Sequence, residues 1–219
     1  MGSKNTLLNL LSAFQCLCVS VVKNVPKPKL ILASASPRRL ELLQRAGYRP
    51  TVCVSPVEEP ERRPAFIPID VWPMLLAYIK AHHVQLAGKN KNALIVAADT
   101  IVVLDGQILG KPKSRTHAGK MLRHLSGRKH QVITGLAILR GGDLRLARAV
   151  STCKIKKLSP TWLRGYLDSK RWQGKAGAYG LQDHGDPFVT LLAGEWSNVV
   201  GLPLKLLAAE LRSLATMRI

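Results

Sequence analysis

Residues 93–104 read Ala-Leu-Ile-Val-Ala-Ala-Asp-Thr-Ile-Val-Val-Leu, a run in which one carboxylate interrupts apolar and β-branched positions. An unpartnered charge at Asp99 would cost several kcal/mol, so a lysine, an arginine, a metal ion or cleft water must meet it. Thr100 adds a second polar group at the same interruption. A carboxylate held this way suits taking a proton from an attacking water or positioning a cation. The plainer alternative is a strand-end aspartate where two separate elements meet. Lys111 follows a hairpin signal that can bring it back toward Asp99, and Lys80 sits within a helical stretch. Each is equally ordinary as a surface lysine. Glu58 and Glu59 are adjacent acids in a basic chain. They are candidates for helping to hold Mg²⁺ or Mn²⁺, which take carboxylate and water oxygens and share a substrate's phosphates; the other reading is a solvated loop pair.

A second candidate is Leu30–Leu43, LILASASPRRLELL. A short apolar strand passes through four small residues into a helix with Ser36 at the N-cap, Pro37 at the first helical position and Gly47 past its end. Small residues let a ligand approach the backbone, and a helix N-terminus offers N–H groups and partial positive charge. Arg38 and Arg39 in the first turn oppose the usual preference for acids there. A phosphate chain in front of them answers that conflict; an ordinary strand–turn–helix with solvated arginines is the alternative.

The elements that must position these groups follow in order. Residues 51–68 are turn-rich, with Pro56, Pro60, Pro64 and Pro68. Residues 71–86 read as a helix, and 93–104 as a long strand. Asp105-Gly106 then predicts a hairpin into Gln107-Ile108-Leu109. Ser114 caps a helix that ends at Gly127. His130–Leu139 is a strand, turned by Gly141-Gly142-Asp143 into 144–156. Ser159-Pro160 repeats the Ser-Pro helix start. Residues 175–185 form a glycine-rich loop, 188–192 a strand, 194–201 a loop and 204–214 a closing helix. Hairpins mixed with strand–helix units predict an α/β fold with a mixed twisted sheet and flanking helices.

Composition narrows the function. The 219 residues suit one large domain or two small lobes, and 33 Lys+Arg against 13 Asp+Glu give a formal charge of +20. That charge predicts attraction to polyanions and cannot separate nucleic acid from nucleotides. Aromatics at 5% are too few for an obvious base-stacking platform. Cysteines at 16, 18, 53 and 153 form no Cys-x-x-Cys pair, so neither a zinc site nor a redox motif is indicated and a reducing, cytoplasmic setting is expected. No P-loop, dinucleotide fingerprint or His-Glu-x-x-His motif occurs, and all six histidines read as solvated. Residues 1–28 read as an appended or mis-started extension. Their apolar run, 7–22, is too short and polar for a convincing membrane span.

Taken together, Ser34-Ala35-Ser36-Pro37-Arg38-Arg39 and Ala98-Asp99-Thr100-Ile101-Val102 resemble the Maf family of nucleotide pyrophosphatases. Gly110-Lys111-Pro112, Leu125-Ser126-Gly127, Val132-Ile133-Thr134-Gly135, residues 175–180 and residues 198–203 extend the likeness in family order, over roughly 29–210. The resemblance implies two lobes around a basic nucleotide-binding cleft, with the domain at 29–215. It also implies a divalent metal, Mg²⁺ or Mn²⁺, commonly a homodimer, and hydrolysis of a nucleoside triphosphate to monophosphate and pyrophosphate. Asp99 inherits the role of proton acceptor. Arg39, Thr100 and Gln182 fall on positions that recognise dTTP and UTP, while a sister subgroup acts on 7-methyl-GTP. Ser34, Lys80 and Lys111 fall around the phosphates, and Glu59 with Asp99 around the metal. A non-catalytic nucleic-acid-binding or division-regulating role is the less favoured alternative, and no membrane role is expected. Two departures stand out: Lys170-Arg171-Trp172-Gln173-Gly174 replaces a segment that usually carries two acids, and Asp183-His184-Gly185 follows Gln182 where Gly-x-Gly is frequent.

Overall fold

The computed structural model describes residues 30–58, 60, 62–87, 93–181 and 188–216; the expected 1–28 extension lies outside them. Strands β1 (Leu30–Leu32), β2 (Thr51–Val52), β3 (Leu94–Leu104), β4 (Gln107–Leu109), β5 (Lys129–Arg140), β6 (Asp143–Ile155) and β7 (Val189–Ala193) make one sheet. Its order is β2-β1-β3-β5-β6-β7, with β4 also on β3. β1 runs parallel to β2 and β3, and the other pairings are antiparallel. The helices are α1 (Pro37–Arg45), α2 (Trp72–Ala87), α3 (Arg115–Leu125), α4 (Pro160–Asp168), α5 (Trp196–Val200) and α6 (Leu204–Thr216). The mixed α/β expectation holds.

Local signals explain most boundaries. Asp105 and Gly106 take φ of 48° and 73°, the left-handed pair that a two-residue hairpin turn requires. Ser114 and Ser159 each accept a hydrogen bond from the amide three residues on, at 3.1 and 3.2 Å. Ser36 occupies the N-cap of α1, but its side chain does not cap the helix. Its own amide donates instead to Ser34 Oγ at 3.2 Å. Two loop expectations are corrected. Residues 196–200 form α5, and residues 176–178 form a 3₁₀ turn inside the glycine-rich segment. Both are too short for sequence periodicity to register.

β3 is apolar on both faces because both are covered. Its even-numbered residues Leu94, Val96 and Ala98 pack with Leu42 and Leu43 of α1 and Leu207 of α6. Farther along the same face, Val102 and Leu104 pack with Leu122 and Leu125 of α3 and Leu163 of α4. The odd-numbered face meets α2 throughout, Ile95 and Ala97 against Ala77 and Ala81, then Ile101 and Val103 against Trp72 and Leu76. Thr100 therefore lies between two apolar clusters on one face, and Asp99 between two on the other.

Candidate active site

One edge of β3 is fully paired, since β5 runs alongside from Ile95 to Val103. The opposite edge is shared. β1 pairs with Leu94–Val96, Ala33 adds a backbone bond to Val96, and β4 resumes only at Val102. Between them, residues 97–101 meet no strand on that edge among the described residues. A cavity of about 420 Å³ opens there. Asp99 and Thr100 flank the gap from opposite faces, because successive strand residues point to opposite sides.

On the odd face, Asp99 Oδ1 accepts a hydrogen bond from Lys80 Nζ of α2 at 2.6 Å, with both side chains about one-tenth exposed. A pair this dry meets its desolvation cost only through close contact. Gly135 allows it. Gly135 lies opposite Asp99 on β5, and a Cβ there would fall 2.2 Å from backbone atoms of Pro73 and Met74 at the start of α2. The glycine thus lets α2 press against the sheet and carry Lys80 to its partner.

On the even face, Arg39 reaches in from α1. Its Nε donates to the Gly201 carbonyl at 2.8 Å, Nη1 to Ser34 Oγ at 2.9 Å and Nη2 to Thr100 Oγ1 at 3.3 Å. Gly201 ends α5 with φ of 122°, a backbone conformation that favours glycine, and so turns its carbonyl to the guanidinium. Thr100 Oγ1 lies 2.9 Å from Thr134 Oγ1, its cross-strand neighbour. Thr134, fully buried, donates to the Asn198 carbonyl at 3.1 Å. Asn198 is anchored in turn, its Nδ2 donating to the Val132 carbonyl and to Ser151 Oγ.

Ser34, Arg39, Lys80, Asp99, Thr100 and Lys111 all line the cavity, so the structure brings six of the expected site residues together. Glu59 and Gln182 lie outside the described residues. Glu58 is exposed and away from the cavity wall. Asp99 is the single carboxylate lining the cavity among the described residues, and they contain no cluster of three or more His, Cys, Asp or Glu. Cationic groups surround it. Besides Lys80 and Lys111, Arg38 and Lys175 line the same wall, as does the first turn of α1, where amides lack partners within the helix. Burial lowers the Arg38 guanidinium below its ordinary pKa, though arginine stays charged regardless.

The sequence does not single out Lys175. It opens the 3₁₀ turn and is buried, and Gly180 makes room for its stem: a Cβ at 180 would lie 3.1 Å from Lys175 Cδ. A lysine at the head of a glycine-rich segment was the available signal. Thr134, Asn198 and Gly201 stood only as letters of motifs, because their role depends on pairing between distant segments. The solvated reading of all six histidines fails at His130. That side chain is buried, its Nε2 is hydrogen-bonded to the Tyr179 hydroxyl, and Tyr179 lines the cavity. Burial drops the His130 pKa to about 4, against a smaller opposing contact with the Arg128 backbone. Cys153, paired with His130 across β5 and β6, has its thiol pushed up to about 11 by burial.

Comparison with known proteins places this geometry. A Pyrococcus abyssi protein named dTTP/UTP pyrophosphatase is 42% identical over 176 residues, covering 80% of this chain and 91% of that one. Proteins of the same name from Symbiobacterium thermophilum and Salinibacter ruber are 41% and 42% identical, covering 80% and 84% of this chain and 89% and 90% of theirs. Among solved structures, the Staphylococcus aureus Ham1 protein matches 58% of this chain and 71% of its own, at 12% identity and a TM-score of 0.42. The family described as Maf-like protein matches residues 29–214, a span that holds the cavity and every residue lining it, and the chain belongs to that family.

Proposed function

We propose that this chain is a metal-dependent nucleoside triphosphate pyrophosphatase that hydrolyses dTTP and UTP to the monophosphate and pyrophosphate. The observation that carries this reading is one buried carboxylate among the described residues, Asp99, in a 420 Å³ cavity whose wall also carries Arg38, Arg39, Lys80, Lys111, Lys175 and the start of α1. Relatives about 40% identical named for that activity support the choice of substrate.

In the reaction, a water oxygen bonds to the α-phosphorus and the bond to the bridging α–β oxygen breaks. Charge accumulates on the departing pyrophosphate. Fixed cations and amides aimed at that charge stabilise the transition state more than the ground state. Lys111, Lys175 and Ser34 line the cavity and would hold phosphate oxygens. Lys80 holds Asp99 in place, and Asp99 takes the proton of the attacking water. Two clusters meeting at Thr100 support a cleft between two lobes, with the triphosphate lying along the sheet edge between β1 and β4.

One carboxylate in a cavity also lined by the hydroxyls of Ser34, Ser36 and Ser55 fits a Mg²⁺- or Mn²⁺-type site that completes its shell with water and substrate phosphates. Asp99 would hold such an ion, with Glu59 beside it in this reading. When bound, the ion would neutralise phosphate charge and lower the pKa of water. Gln182 would join Arg39 and Thr100 at the base. A homodimer is the expected assembly.

The test is a panel of nucleoside triphosphates with Mg²⁺ or Mn²⁺, scored for pyrophosphate. The expected result is release from dTTP and UTP at higher kcat/KM than from other triphosphates. Asp99→Asn should lower kcat by about 10²–10⁴ while the protein stays folded. Release of single orthophosphate would overturn the reaction type, and a preference for 7-methyl-GTP would overturn the substrate.

A further inference from the structure

We infer that Thr134 is a positioning residue that fixes the direction of the Thr100 hydroxyl, so that Thr100 faces the nucleobase as a hydrogen-bond acceptor and selects bases carrying an imide N–H. The inference rests on the pyrophosphatase reading above and concerns how the same site chooses its base.

The argument is a count of protons. A hydroxyl has one hydrogen. Thr134 Oγ1 contacts the Asn198 carbonyl oxygen at 3.1 Å, and a carbonyl can only accept, so the Thr134 hydrogen is committed there. The 2.9 Å contact between Thr134 and Thr100 must then be a donation from Thr100 to Thr134. Arg39 Nη2, which can only donate, approaches Thr100 Oγ1 from another side at 3.3 Å. Thr100 has spent its hydrogen toward the sheet interior and holds lone pairs toward Arg39 and the cavity.

The order is not free to reverse. Reversal would leave Thr134 Oγ1 and the Asn198 carbonyl oxygen 3.1 Å apart with no hydrogen between them, lone pair against lone pair in a buried place, although the Gly201 amide also donates to that carbonyl at 3.0 Å. Asn198 is itself fixed by bonds from its side chain to Val132 and Ser151. The chain Arg39–Thr100–Thr134–Asn198 thus runs in one direction from cavity to core.

An acceptor at this point discriminates between pyrimidines. Uracil and thymine carry N3–H, which Thr100 can accept. Cytosine presents a bare N3 lone pair, which would face another lone pair. A site built to meet one polar group rejects analogues lacking it far more strongly than a size-based pocket does.

The experiment compares UTP with CTP, and dTTP with dCTP, in wild type, Thr134→Val and Thr134→Ser, with thermal unfolding as a check on each variant. Valine keeps the shape and removes the acceptor, so the Thr100 hydroxyl can turn and donate to a cytosine. The uracil-over-cytosine ratio of kcat/KM should fall at least about tenfold in Thr134→Val, chiefly through a lower KM for CTP, and should stay near wild type in Thr134→Ser. A second measurement needs no variant. The 5-fluorouracil imide ionises at lower pH than that of uracil, so in wild type kcat/KM for 5-fluoro-UTP should decline at lower pH than for UTP. An unchanged ratio in folded Thr134→Val would overturn the inference, as would coincident pH profiles for the two uracil nucleotides. If wild type releases pyrophosphate from no pyrimidine triphosphate, the functional reading fails and takes this inference with it.

Discussion

Asp99 and Lys80 form a buried ion pair whose value is separable into stability and chemistry. Removing only the lysine leaves a carboxylate in a dry site with its charge unmet, so Lys80→Met should lower the unfolding free energy by about 3–5 kcal/mol. Replacing both partners with apolar groups removes the unmet charge. Lys80→Met with Asp99→Leu should therefore recover most of that loss in urea unfolding while pyrophosphate release stays absent. A double variant as unstable as the single would show that the pair's neighbours, rather than the bare charge, set the cost. Arg39 makes a different kind of contact. Its planar fork meets Gly201, Ser34 and Thr100 at once, a geometry one ammonium cannot copy. Arg39→Lys should accordingly cost at least about tenfold in kcat/KM for dTTP, measured by pyrophosphate release, despite keeping the charge.

At the scale of elements, what was readable in the sequence was whatever acts over a few residues. The apolar run of β3 with Asp99 inside it, the Asp105-Gly106 turn and the Ser114 and Ser159 caps were all legible, because strand composition, left-handed φ and capping are local. The gap in the sheet edge was not. It exists because β1 stops at Leu32, opposite Val96, and β4 ends at Leu109, opposite Val102, and pairing partners are set by tertiary packing. The burial of His130 does have a sequence signal: it shares strand parity with Val132, Leu136 and Ile138, all buried. Gly135 shows how an element-level contact governs the site. A methyl group there meets the backbone of α2 at 2.2 Å, and only a shift of the helix relieves it. Gly135→Ala should lose at least about 1–3 kcal/mol of stability. It should also reduce kcat, since the helix that shifts carries Lys80. Urea unfolding and turnover on the same preparation would check both, and unchanged turnover would mean that the strain is absorbed away from Lys80.

For the whole molecule, acid should be destabilising well before the carboxylates titrate, and His130 is the reason. Its folded pKa sits near 4 because burial disfavours the charged imidazole, whereas in the unfolded chain the ordinary value of about 6.5 applies. Between those values the unfolded state binds more protons than the folded one, so stability rises with pH through the window and levels off above it. The difference between pH 5 and pH 7 should be about 2 kcal/mol. Loss of the neutral ring also reaches the cavity. His130 is hydrogen-bonded to the Tyr179 hydroxyl, and Tyr179 lines the cavity close to the loop that carries Lys175. The formal charge of +20 adds a general penalty in acid, because each further proton joins an already positive molecule. The two effects separate by salt: self-repulsion is screened, while the cost of charging a buried ring is not. Urea unfolding from pH 5 to pH 7 at high ionic strength should therefore keep the slope in wild type and flatten it in His130→Gln, which has no proton to gain. A slope that persists in His130→Gln would assign the acid sensitivity to other groups, and one that vanishes in wild type at high salt would assign it to net charge alone.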